Sequence, residues 1–219
     1  MQIPDIWTFK NKEVAESFDS HVREQLPWYE MATNMAAHIA KHYISENGLV
    51  YDIGASTGNI SKNLQETLVS RNAKLLAIDN SEEMKKIYSG YGEFILADAL
   101  EYEYQPFDVC ICFLVMMFLP VSKREKWLRE LINKTKPGGA VIVFDKVSYN
   151  SGYLSTVLHR LTMMEKLISG CPAEEILKKE LSLAGIQRPL SNNTMSNINP
   201  FSIEVFRFGE FAGWVIERI

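Results

Sequence analysis

Asp52 closes the apolar run LVYDI, Asp79 closes LLAID, and Asp98 follows EFILA. One such acid reads plainly as a loop carboxylate or a helix cap. All of them at equivalent strand ends suit a ligand that offers several donors, because open parallel sheets bind ligands beyond the carboxyl ends of their strands. Between Asp52 and the next helix lies a turn of small residues, Gly54, Ala55, Ser56 and Gly58. A pyrophosphate turn asks for G-x-G-x-x-G, the second glycine letting the backbone approach the phosphates. Here Ser56 takes that second place, and Gly58 arrives one position early for the third. The charge of Asp52 would repel a pyrophosphate at the neighbouring helix N-terminus. A ligand that carries an ammonium group and no phosphate fits better, which excludes most nicotinamide readings.

Asp79 follows the turn by about 20 residues, the spacing at which an acid accepts both ribose hydroxyls. Asp98, followed by Ala99 and Leu100, suits the exocyclic amine of an adenine. A nucleoside with a cationic amino-acid tail satisfies all of these acids, and S-adenosylmethionine is such a ligand.

The surrounding pattern supplies elements to hold these residues. Met31, Met35, Ile39 and Tyr43 recur every four residues, a helical stripe that ends by Gly48. Strands are expected at LVYDI, AKLLAIDN, GEFILADAL, FDVCICFLV and PGGAVIVFDKV, with helices between them. Ser81 is placed to cap one helix, and Ser122 with Glu125 forms a capping box for another. Beyond Val147 two helices are expected, over about 152–169 and in PAEEILKKELSLAG. A polar loop, SNNTMSNINP, and two strands turning at Gly209 follow. The expected fold is α/β, a doubly wound, mostly parallel, seven-stranded Rossmann-like sheet with an antiparallel last strand and N-terminal helices. The 219 residues read as a single domain with a helical cap at 1–47, a cofactor-binding core at 48–147 and substrate-side helices and closing strands at 148–219.

As a set, YDIGASTG, AIDNS, LADAL and PGGAVIVF resemble the motifs of the class I S-adenosylmethionine-dependent methyltransferases, over roughly residues 48–147. A narrower resemblance reaches outside that core. The W-T-F of Trp7 to Phe9, the V-A-x-x-F of Val14 to Phe18, the P-x-Y ending at Tyr29, LLAIDNS and FRFGEFAGWVI are similar to the carboxy-S-adenosylmethionine synthases. That resemblance implies carboxylation of the cofactor methyl with prephenate as donor, release of phenylpyruvate, and a product used in wobble-uridine modification of tRNA. It implies a cofactor-lining set of Asp52, Gly54, Ala55, Ser56, Gly58, Asp79, Asn80, Asp98, Ala99, Cys112 and Phe113. Tyr29 matches a tyrosine near the cofactor's amino-acid end. Arg160 matches an arginine that holds the added carboxylate from the partner subunit of a homodimer, a task suited to a planar, permanently charged fork. Two departures fall on the prephenate side: Cys112 stands where the family carries a pocket asparagine, and the segment from Lys146 to Arg160 is shorter by about one helix. A divergent methyltransferase acting on a small molecule or tRNA is the alternative. A non-catalytic S-adenosylmethionine-binding module is an alternative of another class, and an oxidoreductase is a distant one.

Other features have ordinary readings. His38 and His42 lie in H-I-A-K-H rather than H-E-x-x-H, and no metal site is expected. Lys123, Arg124, Lys126 and Arg129 make a solvated helix face. Met116, Met117, Met163 and Met164 fill the core or line an apolar pocket. Cys110 and Cys112 share one face of a strand, and Cys171 completes a set without a disulfide framework, as in a reducing cytoplasm. The net charge of −4 argues against bulk nucleic-acid binding. The N-terminal stretch lacks a signal-peptide pattern, and VCICFLVMMFLP is too short to span a bilayer.

Overall fold

Alternation of apolar strands with one-sided helices builds a sheet covered on both faces. The computed structural model describes residues 3–149 and 152–219; Met1 and Gln2 of the N-terminal stretch and Asn150 and Ser151 of the 146–160 segment lie outside the described residues. Three helices come first: α1 (Lys12–Glu16), α2 (Phe18–Gln25) and α3 (Tyr29–Lys41). The alternating core follows as β1 (Leu49–Ile53), α4 (Asn59–Ser70), β2 (Lys74–Asp79), α5 (Glu82–Ile87), β3 (Glu93–Leu96), β4 (Phe107–Phe113), α6 (Val121–Lys134) and β5 (Thr135–Ser148). The chain then forms α7 (Tyr153–Ile168), α8 (Ala173–Ser182), β6 (Leu190–Ser191), α9 (Thr194–Ile198), β7 (Ile203–Phe208) and β8 (Phe211–Glu217).

The strand order is β3-β2-β1-β4-β5-β8-β7, with β6 paired to β5 off this path. Strands β1 to β5 pair in parallel, while β8 runs antiparallel to both β5 and β7. The order turns back between β1 and β4, which opens a crevice at their carboxyl ends. Period-two alternation sends Val50 and Asp52 to the face covered by α3 and α4, and Tyr51 and Ile53 to the face covered by α6.

Three expectations need correction. The buried stripe of α3 is Ala32, Ala36 and Ala40 with Ala37, and Met31 is exposed. Alanines let α3 lie close against the sheet and α4, so the buried face is turned by one residue from the methionine stripe. The Ser122–Glu125 capping box does not form: α6 starts at Val121 behind Pro120, and Glu125 instead binds Arg129. The polar stretch after Leu190 holds β6 and α9 because Met195 and Ile198, three apart, are both buried. Among the described residues no helix is long and apolar enough to cross a membrane.

Candidate functional site

The turn after β1 is held by its own amides. The N–H groups of Gly54 and Ala55 both donate to the Ile78 carbonyl, Gly58 N–H donates to Ala55, and Ser56 N–H donates to Asp79 Oδ2 at 3.0 Å. The amides of Gly54, Ala55, Ser56 and Gly58 are thus occupied and are not free donors for a phosphate. Gly54 sits at φ +68°, and an added Cβ would overlap Val115 Cγ2. The turn can therefore close against the segment after β4 only with glycine there. Leu114, at the end of β4, holds φ +60° while its N–H binds Phe144 O. A strained non-glycine residue at the switch point of a sheet is a site marker.

Asp52 is 1% exposed, and its Oδ2 has no hydrogen-bond partner among the described residues. Burial, then the charge of Asp79, push its carboxyl up to about 7. Asp79 Oδ1 accepts from Ser81 N–H at 3.0 Å. Burial raises its carboxyl as well, opposed by the backbone donors of Ser56, Ser81 and Asn80. Asp98 is exposed, two residues beyond β3, and caps its own turn through Leu100 N–H at 2.9 Å. The carbonyl of Ala99 is fixed by Tyr104 Oη (2.8 Å) and Trp127 Nε1 (2.9 Å). Asp52, Gly54, Ala55, Ser56, Asp79, Asn80, Asp98, Ala99, Tyr29 and Phe113 all line one cavity of about 270 Å³.

Tyr29 opens α3, its ring edge-on to Phe113 at 5.7 Å, and its hydroxyl accepts from Asn59 Nδ2 at 3.2 Å. Burial pushes the phenol up to about 12, so it stays protonated. Asp19 Oδ1 receives Thr57 Oγ1 (2.7 Å) and Asn59 Nδ2 (2.8 Å), tying α2 to the turn. The sequence reading missed this brace, whose partners lie about forty residues apart.

Three expected site residues lie outside this cavity. Cys112 is fully buried on the α6 face of the sheet, 4.0 Å from the Cys110 sulfur, and does not reach the cavity. It shares the face of Tyr51 and Ile53, opposite Asp52, so alternation along the strand turns it away. Gly58 is the left-handed N-cap of α4, packed against Gly90, and does not line the cavity. Arg160 is exposed on α7, bonded to Tyr153 Oη at 3.0 Å, and lies outside its own chain's cavity. His38 and His42 are exposed with rings 5.0 Å apart.

The cavity lining also includes residues to which the sequence assigned no site role. Trp7, Phe9 and Phe118 wall it, and Lys146, Lys166, Lys179, His21 and Glu180 lie along it. The N-terminal segment is strapped across by Trp7 N–H to Ser182 O (3.0 Å) and by Ser81 Oγ to Phe9 O (2.6 Å). Lys146 Nζ donates to Gln187 Oε1 at 3.2 Å, and Lys166 Nζ pairs with Glu180 at 3.0 Å. Lys179 packs its ammonium on the Trp7 ring. Burial and the nearby lysines hold His21 down to about 3, so its 3.4 Å approach to Glu175 is not an ion pair.

A methyltransferase-domain family profile matches residues 50–139. The carboxy-S-adenosyl-L-methionine synthase of Staphylococcus epidermidis is 30% identical over 193 residues, covering 86% of this chain and 84% of that protein. That of Wolinella succinogenes is 30% identical over 221 residues, covering 95% and 92%. Among solved structures, human N-acetylserotonin methyltransferase in complex with S-adenosylmethionine superposes with a TM-score of 0.60 at 13% identity, over 96% of this chain but 57% of that one. A S-adenosylmethionine-dependent methyltransferase from Clostridium acetobutylicum gives 0.59 at 11% identity, over 92% and 98%. The structural likenesses speak to the fold.

Proposed function

The chain belongs to the carboxy-S-adenosyl-L-methionine synthase branch of the class I S-adenosylmethionine-dependent methyltransferases, and from that membership we propose that it carboxylates the cofactor methyl with prephenate as donor. It is a S-adenosylmethionine-dependent transferase. When bound, the cofactor supplies a sulfonium that makes its methyl both electrophilic and weakly acidic. The residues present fit it: the unpartnered carboxylate oxygen of Asp52 would receive the α-ammonium. Asp79 keeps lone pairs for the ribose hydroxyls beyond those used by Ser56 and Ser81. Asn80, Asp98 and Ala99 line the same cavity and would flank the adenine, and Tyr29 and Phe113 would stand at the amino-acid end.

The observation that carries the proposal is that the cavity includes a chamber with aromatic walls and three lysines. Lysine ammonium groups beside aromatic walls suit a small organic anion. Trp7, Phe9 and Phe118 exclude water there, which strengthens every charge contact inside. Carboxyl transfer moves one carboxyl group from prephenate to the methyl and releases phenylpyruvate and water.

A homodimer is part of the reading. Helix α7 leaves Tyr153, Leu154, Met164, Leu167 and Ile168 exposed on the element that carries Arg160 outward. A second copy seated on that helix would bring its Arg160 to the added carboxylate. The product would then serve tRNA modification through another enzyme. The test is mass spectrometry of small molecules from the freshly denatured protein, and of a reaction with S-adenosylmethionine and prephenate. A carboxylated cofactor is expected. Only S-adenosylhomocysteine or unchanged cofactor would sink the carboxylation reading and leave a divergent methyltransferase.

A further inference from the structure

The chamber beyond the cofactor end contains more cation than acid. Lys166 on α7 is neutralised by Glu180 at 3.0 Å, and Lys146 at the end of β5 lies 3.9 Å from Glu210. Lys179 on α8 is 8% exposed, and among the described residues no carboxylate lies within 4.0 Å of its ammonium. A buried lysine amine with no counter-ion carries its charge only at a cost, and an anionic ligand beside it would offset that cost. Two further groups beside it are incomplete: both ring nitrogens of His21 and Oε1 of Gln25 are buried without a hydrogen-bond partner among the described residues. His21 stacks on Trp7 at 5.7 Å, the same ring that Lys179 covers, so these residues form one cluster at the cavity wall.

We infer that this cluster is a carboxylate subsite, in which Lys179, with Lys166 beside it, receives an acid group of the substrate. The inference rests on the reading above that a small anion occupies the chamber. A neutral imidazole has one N–H to donate, so His21 adds a hydrogen bond to the same carboxylate. Gln25 Oε1 is an acceptor and calls for a donor, which selects a hydroxyl elsewhere on the ligand. The walls of Trp7, Phe118 and Leu183 then take an apolar body. The preferred ligand is a hydroxylated carboxylic acid with an apolar ring or chain.

Binding also takes up a proton. In the empty protein burial, then Lys166, lower the Lys179 amine to about 6, against the pull of Glu180 and Glu175. Lys166 faces it from α7, Glu175 and Glu180 from its own helix, and neutral His21 from α2. An anion beside the amine favours its charged form, so one proton passes from solvent to Lys179 as the acid binds.

The experiment is titration calorimetry of the full chain with prephenate and with phenylpyruvate, near pH 7.5 in Hepes and in Tris, which differ in ionisation heat. Wild type, Lys179→Gln and Lys179→Arg are compared, with S-adenosylhomocysteine as the control ligand. The wild-type heats should differ between buffers. Lys179→Gln should weaken both probes about thirtyfold or more, remove the buffer dependence and leave S-adenosylhomocysteine binding unchanged, while Lys179→Arg restores affinity. Wild-type heats that are equal in both buffers would overturn the inference even if Lys179→Gln fails to fold. Product formation with an unchanged prephenate KM in Lys179→Gln overturns the subsite and leaves the carboxylation reading standing. Lys179-dependent phenylpyruvate binding without any product does the reverse. Wild type that binds neither probe removes both.

Discussion

Asp52→Asn should stabilise the empty protein and weaken cofactor binding together. The folded state holds the Asp52 carboxyl at about 7 against an ordinary 3.8. The folded value is raised, so ionising the group opposes folding: nothing is lost below pH 3.8, the cost grows between 3.8 and about 7, and it is complete above 7. The span of about 3.2 units corresponds to an upper bound of about 4 kcal/mol. An asparagine amide buried without a partner returns about 1–3 kcal/mol of that, leaving a net gain of roughly 1–3 kcal/mol. At about 2–4 °C per kcal/mol for a chain of this size, the melting temperature should rise by several degrees at pH 8. The gain should shrink toward pH 5, because wild-type Asp52 is protonated there. Asparagine also removes the charge that faces the ammonium, so the thermal shift given by S-adenosylhomocysteine should fall in the same variant. Melting curves across pH 5–8.5, with and without that ligand, read both effects. A variant that is no more stable at pH 8, or equally responsive to the ligand, would refute the role of the unpartnered carboxylate.

Gly54→Ala forces a left-handed alanine into Val115 and should cost about 1–2 kcal/mol from backbone strain alone, with a larger loss in cofactor affinity, seen by denaturation and by calorimetry. Cys112→Asn, which restores the family's asparagine, should not restore a pocket contact. It buries an amide among Cys110, Val141 and Val143 and should destabilise by about 1–3 kcal/mol while cofactor affinity in the folded fraction is unchanged. Arg160→Ala should change stability by less than about 0.5 kcal/mol and leave S-adenosylhomocysteine binding intact, because Arg160 is exposed and its guanidinium bonds Tyr153 on its own helix. It should abolish accumulation of the carboxylated product, and a monomer by sedimentation would remove the basis for that loss. Ser81→Ala removes both the α5 cap to Met84 N–H and the tether to Phe9 O; a loss of about 0.5–2 kcal/mol and a raised KM for the carboxyl donor are expected.

Strands β1, β2 and β4 were legible because each is a short apolar run closed by a change of composition. β1 was placed residue for residue, and Ser81 caps α5 as its side chain predicts. Features that depend on facing were harder. Met31 and Ala32 are both helix formers with apolar side chains, and only the distance between α3 and the sheet decided which of them is buried. Cys112 is one residue from the cavity-lining Phe113, yet period-two alternation sends it to the other face, a signal present in the sequence through its pairing with Cys110. The Ser122–Glu125 box failed because Pro120 takes the N-cap position, which starts α6 two residues too early for Ser122 to cap it.

By itself, the sequence determined a parallel sheet with acids at its strand ends and a turn unsuited to phosphate, since strand runs, spacing and side-chain charge are local properties of the chain. The tertiary structure decided the rest of the site. Lysines at 146, 166 and 179 read in sequence like any solvated lysine, and Trp7 lies 172 positions from Lys179. They line one cavity only when the N-terminal segment is strapped to Ser182 of α8 and to Ser81, because burial belongs to the packed elements and not to any one of their sequences.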